Sequence, residues 1–93
     1  MKKILLADDH VVVRSGIKLL LLKTFKPAEI YEASGGDAVL ENLKEHVFDL
    51  IILDIQMPKT DTIGLMETIH LQYPDAKVLM FSMSAEKILL NDF

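Results

Sequence analysis

Cysteine is absent from the 93 residues. That excludes a disulfide framework, a thiolate zinc site and a cysteine nucleophile. Histidine is scarce: His10, His46 and His70 stand far apart, with no ligand-like spacing. Long apolar runs are missing as well. The start, Met1 to Ala7, mimics a signal peptide only briefly, because Asp8 and Asp9 end its apolar stretch. Arg14 and Lys18 interrupt the run from Val11 to Leu22, so that run is no membrane span and no membrane partner is expected. Basic excess is lacking: ten Lys and Arg face fourteen Asp and Glu, a formal net charge of -4. Such a chain lacks the basic face that neutralises nucleic-acid phosphates. No internal repeat, low-complexity tract or linker interrupts it. Gly35-Gly36 is too short, and lacks the downstream pattern, for a nucleotide-binding loop. The expectation is a soluble, cytoplasmic protein.

What is present is globular: 51% of the residues are hydrophobic and 26% charged. The length fits one small domain. Short apolar runs alternate with helical patterns. Lys3 to Ala7 reads as a buried strand, and Val13, Ile17, Leu20 and Leu21 follow at the spacing of a helix face. Of Leu19 to Leu22, one leucine is expected to be exposed and the rest core. Ala28 to Ala33 reads as a second strand, and Ser34 with Asp37 as a capping arrangement for a second helix ending near His46. Leu50 to Leu53 is apolar at consecutive positions, the pattern of a strand covered on both faces. Ile63, Met66 and Ile69 mark a third helix, Val78 to Phe81 a fourth strand, and Ser84 the cap of a fourth helix running to Phe93. This β-α order predicts right-handed crossovers and a doubly wound, mostly parallel α/β sheet.

In open parallel sheets, ligands bind beyond the carboxyl ends of the strands. Asp8 and Asp9 follow the first strand, Asp54 ends the third and Ser82 ends the fourth. If the first and third strands are neighbours, three carboxylates meet. Two unit charges ~4 Å apart repel by ~4 kcal/mol at an effective dielectric near 20. Either one carboxylate takes up a proton or a cation resolves the conflict. An all-oxygen donor set with no Cys and no clustered His suits a hard cation, and Mg2+ fits. Such a site suits phosphoryl transfer. A carboxylate can be the nucleophile, and Asp54, alone at the tip of a buried strand, is the better candidate. Asp8 and Asp9 are better placed to hold the metal. His10 abuts the acid pair and could look like a metal ligand or a base, but a helix-start position is the plainer reading. The plainer readings elsewhere are that Asp9 caps the first helix and that His46 and His70 are solvated helix residues. Met57 and Met83 are expected at the pocket rim, Met66 and Met80 in the core.

The acid pair Asp8-Asp9, the run Asp54-Ile55-Gln56-Met57-Pro58 and Ser82 resemble the motifs of the receiver domain of two-component response regulators. Asp8-Asp9-His10 with Val13-Arg14 and Gly16 resembles the subfamily usually followed by a LuxR-type helix-turn-helix domain. The resemblance implies a flavodoxin-like fold with strand order 2-1-3-4, followed in the family by a fifth strand. It implies that Asp54 accepts a phosphoryl group from a histidine kinase or phosphotransfer protein, small phosphodonors being possible too. Mg2+ would be held by Asp9, Asp54 and the backbone carbonyl of Gln56, with Asp8 acting through water. Ser82 would be the switch hydroxyl, and Gln56 and Ser84 would tune dephosphorylation. The protein would be a signalling switch that catalyses its own phosphorylation chemistry, not a conventional enzyme. Its output would be transcription.

Three departures accompany the resemblance. Residues 1–93 match the N-terminal part of a receiver domain, apparently truncated before the fifth strand and helix, and neither Lys59 nor Lys87 stands at the position of the family's phosphate-binding lysine. Lys59 and Thr62 stand where the family usually has glycine, which costs free energy if the backbone there needs positive φ. No output domain is present, so DNA would be reached only through that absent domain. An exposed fourth strand would invite a homodimer or strand exchange. A phosphorylation-independent interaction module is the alternative function. A hydrolase using Asp54 is a further one, although Asp8-Asp9-His10 lacks the usual spacing of aspartate-nucleophile phosphatases.

Overall fold

The computed structural model describes residues 1–82. The elements run β1 (Lys2–Ala7), α1 (Val11–Thr24), β2 (Ala28–Ala33), α2 (Gly36–Glu45), β3 (Leu50–Asp54), α3 (Thr62–Gln72) and β4 (Val78–Phe81). All strand pairings are parallel, in the order β2-β1-β3-β4. The expected doubly wound sheet is therefore present, and each strand boundary falls within a residue of its sequence pattern. The fourth helix expected from Ser84, and the positions of Met83 and Lys87, lie outside the described residues.

The period-2 alternation of strand side chains divides the core between the two faces. Leu5, Ala7, Ile51 and Leu53 point to the side covered by α2 and α3, where Val39, Leu43, Leu65 and Ile69 meet them. Ile4, Leu6 and Ile52 point the other way, against Leu21 of α1. Ile4, Leu5 and Leu6 are all fully buried, each worth ~1.5–3 kcal/mol against exposure. This is why three successive apolar residues stand in β1. The polar ends of the strands are left for the loops.

Helix α1 departs from expectation. Val13 and Ile17 are half-buried and Leu21 is buried, but Leu20 is 64% exposed. Leu19 and Leu22 are exposed too, so only one of the four leucines is core. Successive residues turn ~100° around a helix, and a single helix buries only the 13-17-21 stripe on this sheet. Ile63 is likewise exposed on α3, whose buried positions are Thr62, Leu65 and Ile69.

The helix caps also differ. Neither Asp9 nor Ser34 caps a helix: the cap residues are His10 and Gly35, and neither makes a side-chain cap bond. At α2 the Gly36 N–H donates instead to Thr60 Oγ1, 3.1 Å away in the loop after β3. A Cβ on residue 36 would come within 2.9 Å of Thr60 Cγ2, so a larger residue there would push the Thr60 side chain from its place. Asp61 caps α3, its carboxylate accepting from the Gly64 N–H at 3.1 Å. His46 is half-buried, not solvated, with its ring 4.4 Å from that of Tyr31. Met57 lies in the core, while His70 is exposed in the last turn of α3 as expected. Among the described residues no helix is long and apolar enough to cross a membrane.

Candidate functional site

Strands β1 and β3 are neighbours, with Ala7 opposite Leu53. That register brings Asp8 beside Asp54 at the carboxyl edge of the sheet. Asp8 is 0% exposed and Asp54 1% exposed. Backbone pairing continues past both strands, since the Asp8 N–H donates to Ala33 and the Ile55 N–H to Phe81. Both carboxylates therefore stand on a rigid frame.

Asp54 Oδ1 accepts from the Gln56 N–H at 2.9 Å. Asp8 Oδ1 accepts from the His10 N–H at 2.8 Å. The buried Asp8 Oδ2 accepts no hydrogen bond among the described residues. Burial pushes the Asp54 carboxyl above its usual range, and the charges of Asp8 and Asp9 add to the shift. The Gln56 amide opposes it. The repulsion expected from the sequence is thus built into the fold. A buried carboxylate oxygen left without a partner is costly, and a bound cation removes that cost. An oxygen-rich cluster of this kind fits Mg2+.

Two further side chains join the site. His10 does start α1, as read from the sequence, but its ring also reaches into the cluster. Its Nδ1 lies 2.9 Å from Asp9 Oδ1, 3.3 Å from Asp8 Oδ1 and 3.9 Å from Asp54 Oδ2. The signal for it was its place directly after the acid pair. Arg14 donates from its guanidinium to the Asp8 backbone carbonyl at 2.6 Å and to Glu32 at 3.0 Å. It ties the β1–α1 turn to β2. Burial pushes Glu32 up, but Arg14 and Lys18 together hold its carboxyl below the usual value. In the sequence Arg14 was visible only through the subfamily run.

Ser82 follows β4, and its hydroxyl donates to the Gln56 side-chain carbonyl at 3.3 Å. Asp8, Asp9, Asp54, Gln56 and Ser82 thus meet at one edge, as the sequence reading required. Pro58, Lys59, Thr60 and Asp61 lead away from it and, with Gly36 of α2, border a separate cleft of about 680 Å³. Lys59 takes φ 64°, so the suspected left-handed position is present there, whereas Thr62 is the first residue of α3.

A parallel α/β sheet with an acidic cluster at its carboxyl edge places the chain among the doubly wound α/β domains that bind ligands at that edge. Residues 4–92 match the response regulator receiver domain, and the chain belongs to that family. It is 36% identical over 83 residues to the oxygen regulatory protein NreC of Staphylococcus epidermidis, covering 87% of this chain and 38% of NreC. The chain thus spans well under half the length of that relative. The response regulator TrrA of Thermotoga maritima, solved in complex with Mg2+-BeF, superposes with a TM-score of 0.82 at 30% identity, over 92% of this chain and 73% of that one. A LuxR family DNA-binding response regulator from Silicibacter pomeroyi superposes with a TM-score of 0.73 at 26% identity, over 86% of this chain and 62% of that one. Receiver domains of response regulators are signalling switches. The sequence reading of family and fold is therefore borne out.

Proposed function

We propose that this domain accepts a phosphoryl group on Asp54 from a histidine kinase or phosphotransfer protein, or from a small phosphodonor. The observation that carries the reading is the burial of Asp54 against Asp8, whose second oxygen lacks a partner. An Asp54 oxygen attacks phosphorus, the bond to the donor's leaving group breaks, and an acyl phosphate results. Asp9, Asp54 and the Gln56 backbone carbonyl would hold Mg2+, with Asp8 acting through water. When bound, the ion neutralises charge that develops on the transferring group. The Gln56 N–H fixes the Asp54 carboxylate, which supports an in-place nucleophile. Arg14 and the buried strand ends hold the acids in position, so the domain itself supplies the orientation for the transfer.

Ser82 would be the switch hydroxyl. In this structure it donates to the Gln56 side chain, and a phosphoryl oxygen on Asp54 would compete for that bond. The output would be transcription, through a DNA-binding domain beyond these residues, as the LuxR family neighbour's description supports. The test is an intact mass before and after acetyl phosphate with magnesium chloride. An increment of one phosphoryl group, lost in Asp54→Asn, is expected. No increment in the folded chain would leave a phosphorylation-independent interaction module.

Copies of the domain would pair along β4, which bonds only to β3 among the described residues and exposes Leu79. Light scattering over a concentration series would show association that Leu79→Lys suppresses. A concentration-independent monomer mass would count against pairing.

A further inference from the structure

We propose that His10 is a metal ligand that shifts the aspartate site toward nitrogen-seeking first-row divalent ions, nickel above all, and away from sole preference for magnesium. The inference rests on reading the aspartates as a divalent-ion site. His10 occupies the cap position of α1, but its side chain caps nothing. The ring is turned to the carboxylates instead.

The distances suit shared coordination. In a six-coordinate sphere with bonds of ~2.1 Å, adjacent ligand atoms lie about 3.0 Å apart and opposite ones about 4.2 Å. His10 Nδ1 stands 2.9, 3.3 and 3.9 Å from oxygens of Asp9, Asp8 and Asp54. One ligand atom from each of the four residues lies within 4.8 Å of the others. The His10 N–H, bonded to Asp8 Oδ1, anchors the residue beside the acids. With 60% of the side chain exposed, the ring can adjust to an ion without disturbing the core.

A second observation points to a ligand. Asp8 is fully buried, and its Oδ2 has no hydrogen-bond partner among the described residues. The buried carboxylate of Asp8, with one oxygen unsatisfied, and those of Asp9 and Asp54 form with the imidazole nitrogen of His10 a mixed donor set. Carboxylate, carbonyl and water ligands suit magnesium, whereas imidazole suits nickel and zinc, and affinity rises from manganese through nickel to copper. Nitrogen ligation through Nδ1 leaves the ring proton on Nε2. Loss of the ring should therefore weaken nickel binding and spare magnesium. A ring that only donates hydrogen bonds to the carboxylates would treat both ions alike.

The experiment is calorimetric titration of the full chain with nickel chloride and, separately, magnesium chloride at one pH. The samples are wild type, His10→Gln, His10→Ala and a His46→Gln/His70→Gln control. Expected are one equivalent of nickel bound more tightly than magnesium, and a loss of about tenfold or more in nickel affinity in both His10 variants. Magnesium affinity should stay within about twofold in those variants, which also shows that they fold. The control should retain nickel. Unchanged nickel affinity in His10→Gln, parallel loss of both ions, or loss of nickel in the control would each overturn the inference while wild-type magnesium binding leaves the metal site standing. A wild type that binds neither ion would overturn the metal reading itself.

Discussion

Asp54 carries an electrostatic load that can be measured apart from any phosphate chemistry. Burial raises its carboxyl, and Asp8 and Asp9 raise it further. A raised folded-state value means that the folded form binds more protons than the unfolded form above the ordinary carboxylate range. Stability of the metal-free protein should therefore fall as pH rises through the Asp54 value. Removing the charge in Asp54→Asn should raise the Tm at neutral pH in EDTA, by about 4–8 °C for each kcal/mol relieved. The gap should narrow as pH falls through the Asp54 value and close below ~3, where the wild-type carboxyl is protonated in both states. Thermal melts across pH check this. Equal melting at neutral pH would show that the carboxylates repel less than their placement implies. Magnesium chloride should narrow the gap by stabilising the wild type, since a ligand bound only by the folded state adds stability.

The loop between β3 and α3 is the element where local and tertiary demands meet. Lys59 takes φ 64°, and the Thr60 N–H donates back to the Met57 carbonyl at 3.2 Å. A left-handed backbone costs a side-chain-bearing residue ~1–2 kcal/mol. Lys59→Gly removes that strain but adds freedom to the unfolded chain, so a net gain of ~0.5–1 kcal/mol is expected in urea unfolding. Gly64→Ala should leave stability within ~0.5 kcal/mol, because Ala is favoured over Gly inside a helix by ~0.5–1 kcal/mol while the cap is disturbed. A Cβ there would press on the Asp61 carboxylate that caps α3, and loss of a cap costs ~1 kcal/mol. The same loop holds the start of α2 through Thr60, so its shape governs two helices.

At the scale of the molecule, the two faces of the sheet are unequally covered. Two helices pack on one face and only α1 on the other, among the described residues. The exposed Leu19 and Leu20 follow from that asymmetry. Leu21→Ala should cost ~2–5 kcal/mol, as a buried leucine does, whereas Leu20→Gln should stay within ~0.5 kcal/mol. Urea unfolding of the two variants distinguishes them. A large loss at Leu20 would mean that α1 is rotated about its axis from the orientation described.

Much of this protein was determined by the order of its residues. Consecutive apolar positions, such as Leu50 to Leu53, specify buried strands because both faces of a parallel sheet are covered. The alternation of strands with helices specifies their winding, and the acids at Asp8, Asp9 and Asp54 fall at strand ends by sequence alone. Local patterns of this kind are legible because they repeat with the period of the element. Contacts that join distant segments have no period to read. The pairing of Ala7 with Leu53 sets Asp8 against Asp54, and Thr60 meets Gly36 across 24 positions. Only tertiary structure decided which leucine of α1 is buried, because that depends on what lies beneath the helix. It also decided that His10, a helix-start residue by sequence, turns its ring to the carboxylates. A cap needs only its own helix, but that ring position depends on β3 carrying Asp54 to the same edge.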